Sequence, residues 1–167
     1  MMLRARLAAV TATAVVCLAV PATAFGLPAF STAPKSAPGS PPTAEVFGTA
    51  AGCHGSFDRF VIRTRFGTAA YAVRYVRRIV SDGSGNTVSL QGRRRLRVVM
   101  RDTRAHTQSG GALIPNVRTP SCPNLRQIKL AGDFEGVVTF GLGLRRRAGF
   151  RVFRLTAPSR VVIDVRH

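Results

Sequence analysis

Arginine dominates the chemistry open to this chain. Of 25 Lys and Arg residues 23 are Arg, set against 7 Asp and Glu, which gives a formal charge of +18 over 167 residues. A guanidinium offers a planar fork of N–H donors that grips carboxylate or phosphate through paired hydrogen bonds and keeps its charge at physiological pH. Arg59, Arg63 and Arg65 alternate along one segment, and Arg74 and Arg78 recur in the next. If those segments pair as a hairpin, the five form one basic stripe, and they are the candidate ligand-binding residues. A solvated basic face is the plainer reading of the same pattern. The runs Arg93-Arg94-Arg95 and Arg145-Arg146-Arg147 fall at expected strand ends or loops. Carboxylates, phosphates, anionic lipid heads and nucleic acid are all anions of a suitable kind.

Other chemistries lack their parts. A hydrolase needs a nucleophile or metal, a base and an oxyanion site. The three histidines are scattered at His54, His106 and His167, and no His-Glu-x-x-His, Cys-x-x-Cys or Gly-x-Ser-x-Gly occurs. Cys53 beside His54 has the residue types of a nucleophile and base, but a structural disulfide is the stronger expectation. Zinc has no convincing ligand set. Asp82-Gly83-Ser84-Gly85-Asn86 places oxygen side chains at alternate positions, yet it lacks the downstream bidentate carboxylate of a calcium loop and reads as a hairpin turn. Asp133 and Glu135 near a turn suit solvation better than paired-carboxylate catalysis. The expectation is therefore no enzyme activity, no cofactor and no metal.

Residues 1–24 have the parts of a secretory signal: Arg4 and Arg6, an apolar run from Leu7 to Val20, and Pro21-Ala22-Thr23-Ala24. The apolar run falls short of the roughly 20 residues that span a bilayer. Cys17 follows Val16 inside that run, a poor context for lipidation. After cleavage the mature chain keeps Cys53 and Cys122, and an even count in an oxidising compartment predicts a disulfide between them. From 25 to 50, 19 of 26 residues are Gly, Pro, Ser, Thr or Ala, which reads as a disordered tether, with a trimmed pro-segment as the alternative.

Residues 51–167 must then supply the domain that positions the arginines. Here 22 Lys and Arg face 6 Asp and Glu. Period-two alternation puts Phe60, Ile62 and Phe66 on one side of a strand with Asp58 and Thr64, and Arg59, Arg63 and Arg65 on the other. Similar signals recur at 71–80, 87–91, 96–101, 127–131, 134–144, 150–155 and 160–165, with breaks at Gly132-Asp133 and Ala157-Pro158. The aperiodic segment from Arg104 to Pro123 reads as a long loop that Cys122 pins. About eight short strands without a helical pattern predict an all-β fold, an antiparallel β-sandwich or partly closed barrel. In the last strand Val161, Ile163 and Val165 suit the core, while Arg160 and Asp164 share the other face and are placed to pair with adjacent strands.

Leu130-Ala131-Gly132-Asp133-Phe134-Glu135-Gly136, Phe140-Gly141-Leu142-Gly143-Leu144, Phe150-Arg151-Val152-Phe153-Arg154-Leu155 and Pro158-Ser159-Arg160-Val161-Val162-Ile163-Asp164-Val165 resemble the AMIN-like domain of secreted actinobacterial proteins. Gly55-Ser56-Phe57-Asp58-Arg59 and Asp82-Gly83-Ser84-Gly85 fit the same pattern. The related AMIN domain is a small β-sandwich that localises cell-wall amidases by contacting peptidoglycan. The resemblance implies a secreted or cell-wall associated, noncatalytic module that binds peptidoglycan or an associated anionic polymer. The competing expectation is a nonspecific polyanion binder for nucleic acid or anionic membrane. No recognition helix, zinc finger or aromatic platform marks sequence-specific nucleic-acid recognition, and no transmembrane segment is expected in the mature chain.

Overall fold

The computed structural model describes residues 26–167. The expected signal peptide and Cys17 lie outside these residues. Thirteen strands and no helix occur among the described residues: β1 (Lys35–Ala37), β2 (Ser40–Cys53), β3 (Phe57–Thr68), β4 (Ala70–Val76), β5 (Ile79–Val80), β6 (Thr87–Val88), β7 (Arg94–Arg101), β8 (Thr103–Arg104), β9 (Val117–Arg118), β10 (Leu125–Phe134), β11 (Val137–Leu144), β12 (Phe150–Thr156) and β13 (Ser159–Arg166). One sheet runs β1-β4-β7-β11-β10-β9, a second runs β12-β13-β3-β2-β8, and β5 and β6 form a small separate ribbon. The result is a sandwich, not a closed barrel. All strand pairs are antiparallel except β2 with β8. Eight strands reach seven residues or more, which matches the expected number.

Alternation builds the core. Phe60 and Ile62 of β3 meet Leu96, Val98 and Met100 of β7 and Phe140 and Leu142 of β11, all essentially without solvent exposure. Phe60 and Phe140 touch edge to face at 5.4 Å and tie the two sheets together. Burying each such side chain contributes about 1.5–3 kcal/mol. Phe66 departs from the expected inward face: it sits at φ 70° and is 67% exposed, because the strand turns over opposite the register break in β2.

The expected tether is corrected. Residues 35–37 and 40–53 are strands, and β2 pairs with β3 from Ser40↔Thr68 to Cys53↔Asp58. Bulk composition concealed an apolar alternation, since Ala44 and Val46 are fully buried. Pro41-Pro42 sits where the register breaks, so no ladder N–H is missed there. The domain thus begins well before residue 51.

Two further corrections concern turns. The β10–β11 hairpin reverses at Glu135-Gly136, both at positive φ (48° and 74°), as a tight two-residue turn requires. Gly132-Asp133, read as a break, lies within β10 beside a register shift. In the Phe140-Gly141-Leu142-Gly143-Leu144 segment the glycines have a packing reason. A Cβ at Gly143 would lie 2.0 Å from the Gln91 carbonyl oxygen, and one at Gly141 would meet Leu90 and Ile79. The bare backbone lets the β5–β6 ribbon lie on the sheet.

The Cys53–Cys122 disulfide is present, with Cα atoms 5.3 Å apart and 69 residues of separation. It ties the end of β2 to the segment that leads into β10.

Candidate functional site

The five arginines singled out in the sequence do not form one stripe. β3 and β4 belong to opposite sheets, so Arg59, Arg63 and Arg65 lie on one outer face and Arg74 on the other. The two strands are consecutive, but Ala69 carries the chain from one layer to the other. Arg59 and Arg65 are moreover already engaged. Arg59 donates to Asp164 through Nε at 2.7 Å and Nη2 at 2.9 Å, and Arg151 adds a third bond to the same carboxylate at 2.8 Å. Arg65 donates from Nε to Glu45 at 2.7 Å, with Arg104 on the other carboxylate oxygen at 2.9 Å. Arg63, Arg74 and Arg78 are exposed and make no ion pair.

Glu45 yields a pH prediction. Burial pushes its carboxyl pKa up, but the hydrogen bonds and charges of Arg65 and Arg104 outweigh this and leave it below its ordinary value of 4.5. A carboxyl whose pKa is depressed by folding stabilises the fold in full above its unfolded pKa and loses that contribution as pH falls through the folded one. Glu45→Gln is therefore expected to lower stability at pH 7 and to flatten the fall in stability below about pH 4.5. Urea unfolding midpoints measured from pH 7 down to pH 3 check this, and parallel curves for the two proteins would refute it.

The two arginine runs, by contrast, are brought together. β7 begins at Arg94 and β11 ends at Leu144, and these residues are register partners, as are Arg95 and Gly143. Arg93 N–H donates to the Leu144 carbonyl at 2.7 Å. Arg93 lines three adjoining depressions of about 420, 450 and 530 Å³, whose other walls include Arg77, Arg94, Arg126, Arg145, Arg146 and Arg147. All seven acidic residues of the chain are described, and none pairs with these seven arginines. One end of the sandwich is an uncompensated cationic pole.

Buried polar groups hold that pole in shape. Asn124, fully buried, accepts the Arg146 N–H on its side-chain oxygen at 2.9 Å and the Arg145 N–H on its backbone carbonyl at 2.8 Å. Its side-chain amide donates to the Arg166 carbonyl at 2.7 Å. Asp58, also fully buried, accepts the backbone N–H groups of Asn124 and Leu125, each at 2.7 Å. Asp58 is the register partner of Cys53, and Cys122 lies two residues before Asn124. The disulfide, Asp58 and Asn124 therefore fix the turn that displays Arg145 to Arg147. Arg147 lies over the Tyr75 ring at 4.9 Å, and the Tyr75 hydroxyl donates to the Ala148 carbonyl at 2.8 Å. Burial raises the Tyr75 pKa against the opposing pull of that hydrogen bond and of Arg147, so the phenol stays a donor.

The histidines do not assemble a catalytic group. His54 stacks on Phe57, His106 contacts Asp133 at 2.7 Å, and His167 contacts the His54 carbonyl at 3.0 Å. Cys53, the residue considered as a nucleophile, is in the disulfide. Among the described residues, the grouping of Cys53, Asp58 and Cys122 is the one with metal-ligand types in reach of each other, and both its sulfurs are bonded together.

The fold is a small all-β sandwich domain with one cationic end. The chain belongs to the AMIN-like domain family, which matches residues 44–167. That match begins inside β2, in agreement with the corrected domain boundary. The family is associated with cell-wall targeting. Comparison with curated proteins and with solved structures gives no match. No helix among the described residues is long and apolar enough to cross a membrane.

Proposed function

We propose that this protein is an exported, noncatalytic cell-envelope module that binds anionic wall polymer, peptidoglycan or a polymer attached to it, through the arginine pole. The observation that carries the reading is the convergence of seven exposed arginines with no acidic partner, on a backbone fixed by a disulfide and two buried polar side chains. Like charges held together raise the energy of the free domain, and an arriving polyanion relieves that repulsion. The family's association with cell-wall targeting supports an envelope polymer as that polyanion. The wide depressions suit a polymer that lies across a surface rather than a small substrate that must be enclosed.

Cosedimentation with purified sacculi, intact or stripped of anionic polymers, at 50 mM and 200 mM salt tests the proposal. Binding to intact sacculi is expected to exceed binding to stripped sacculi and to weaken steeply with salt, by up to about 10³-fold if six contacts each release a counterion. No cosedimentation at low salt would overturn it. DNA and anionic vesicles in parallel test the competing polyanion reading: equal salt-sensitive binding to all three would favour nonspecific charge attraction.

A further inference from the structure

A second site lies on the other half of β7, on the outer face of the six-stranded sheet. Arg74 of β4 and Arg97 of β7 are direct register partners, and Arg101 lies four residues further along β7. Like charges placed directly opposite across a ladder repel. Here the repulsion is relieved on one side alone: Asp82, carried over by the β5–β6 ribbon, contacts Arg97 at 2.8 Å. Arg74 has no such partner, and the Arg97 Nε is buried without an acceptor. The three arginines border a groove of about 790 Å³ whose floor is formed by Ala72, Val99 and Val137. Phe134 stands on its wall, 55% exposed, followed by Glu135, a carboxylate with no basic partner.

We infer that this groove binds a short zwitterionic peptide. Its free carboxylate is held by Arg74 and Arg97, its aliphatic side chains lie on the small apolar floor against Phe134, and its amine lies toward Glu135. Three observations favour this class over a polyanion. The groove is bordered by both signs of charge, it has an apolar floor between them, and its wall carries an exposed aromatic ring. Asp82 acts as an internal stand-in for the ligand carboxylate. Gly132 makes room for it, since a Cβ there would lie 2.6 Å from an Asp82 carboxylate oxygen. The groove shares no lining residue with the pole, and neither proposal depends on the other.

The test is an NMR titration of the full domain with the tripeptide Lys-Ala-Ala and with its C-terminal amide. Backbone shifts are expected at 72–74, 97–101 and 134–137 with the acid, and the amide is expected to bind at least tenfold more weakly. Arg74→Gln should weaken the acid by a similar factor. Asp82→Asn should tighten it severalfold, because it frees the Arg97 fork while keeping the ribbon's shape. Reversing the charges of the pole should leave the affinity unchanged. Equal binding of acid and amide, unaltered binding by Asp82→Asn, shifts located elsewhere, or no binding at 20 mM would each overturn the inference. Cosedimentation with sacculi reads the pole separately, so either result stands when the other fails.

Discussion

Asp164→Ala is expected to destabilise the folded domain by about 3–5 kcal/mol, the range for removing one partner of a buried ionic group. Asp164 has no solvent exposure and sits in a cross-strand row between Arg151 of β12 and Arg59 of β3. Three charge-assisted hydrogen bonds converge on its carboxylate. Their effect is visible on the partner: the hydrogen bond to Asp164 raises the Arg59 pKa against the opposing effect of burial. Without the carboxylate, two guanidiniums that are only 27% and 13% exposed face each other across β13. Phe57 and Phe153 lie within cation–π distance of both, at 5.1 to 5.8 Å, and block their retreat into water. Asp164→Asn keeps the shape and one acceptor and is expected to cost less, about 1.5–3 kcal/mol. Arg63→Ala, a solvated position on the same face, is expected to stay within about 0.5 kcal/mol. Urea unfolding with the disulfide intact measures all three, and a loss below about 1 kcal/mol for Asp164→Ala would refute the account.

The same row shows what could be read from residues alone. Period-two spacing is enough to assign the strands and the faces of 57–65 and 160–165, because hydrophobic burial acts on every second residue regardless of neighbours, and it fails at Phe66 where the strand turns over. Asp164 and an adjacent-strand partner were also within reach of the sequence, although the identity of Arg59 and Arg151 follows from register alone. Two features escaped. β2 hid behind a composition rich in Pro, Ala and Gly, yet its small residues are what let other groups lie close: the Arg63 side chain passes within 3.4 Å of where a Gly48 Cβ would be. The arginine stripe failed for a different reason. Whether consecutive strands pair or cross between layers is decided by tertiary packing, and one residue, Ala69, makes the crossing here. The two arginine runs could be flagged from sequence, but their meeting needed the β7–β11 pairing, a contact between distant segments. Asn124 carried no signal at all, since an isolated Asn after a Pro reads as an ordinary turn residue.

Charge reversal at the pole should have the largest effect on binding. With Arg93→Glu, Arg145→Glu and Arg146→Glu combined, affinity for intact sacculi is expected to fall by roughly 500-fold at 0.1 M salt. Each released counterion contributes a factor of about 8 at that salt concentration, and three are lost. The slope of log affinity against log salt should fall by about 2.7 at the same time. These figures take the charge density of duplex nucleic acid as reference, so a sparser wall polymer gives a smaller slope and a smaller loss. New carboxylates at the pole add repulsion, which enlarges the loss without changing the count of contacts. Folding should be spared, because these side chains are exposed and the backbone contacts that hold the turn come from Asn124 and Asp58. Removal of the mutual repulsion among the arginines is expected to give a small gain in the urea unfolding midpoint, because like charges held together destabilise the native pole. Charge reversal of Arg63, which is exposed and lies outside both the pole and the groove, is the control for net charge. If that variant reduces binding as much per charge as the pole variant does, the domain is held by its overall field and not by the pole. If the pole variant binds as wild type, the arginines of the pole are not the contact surface.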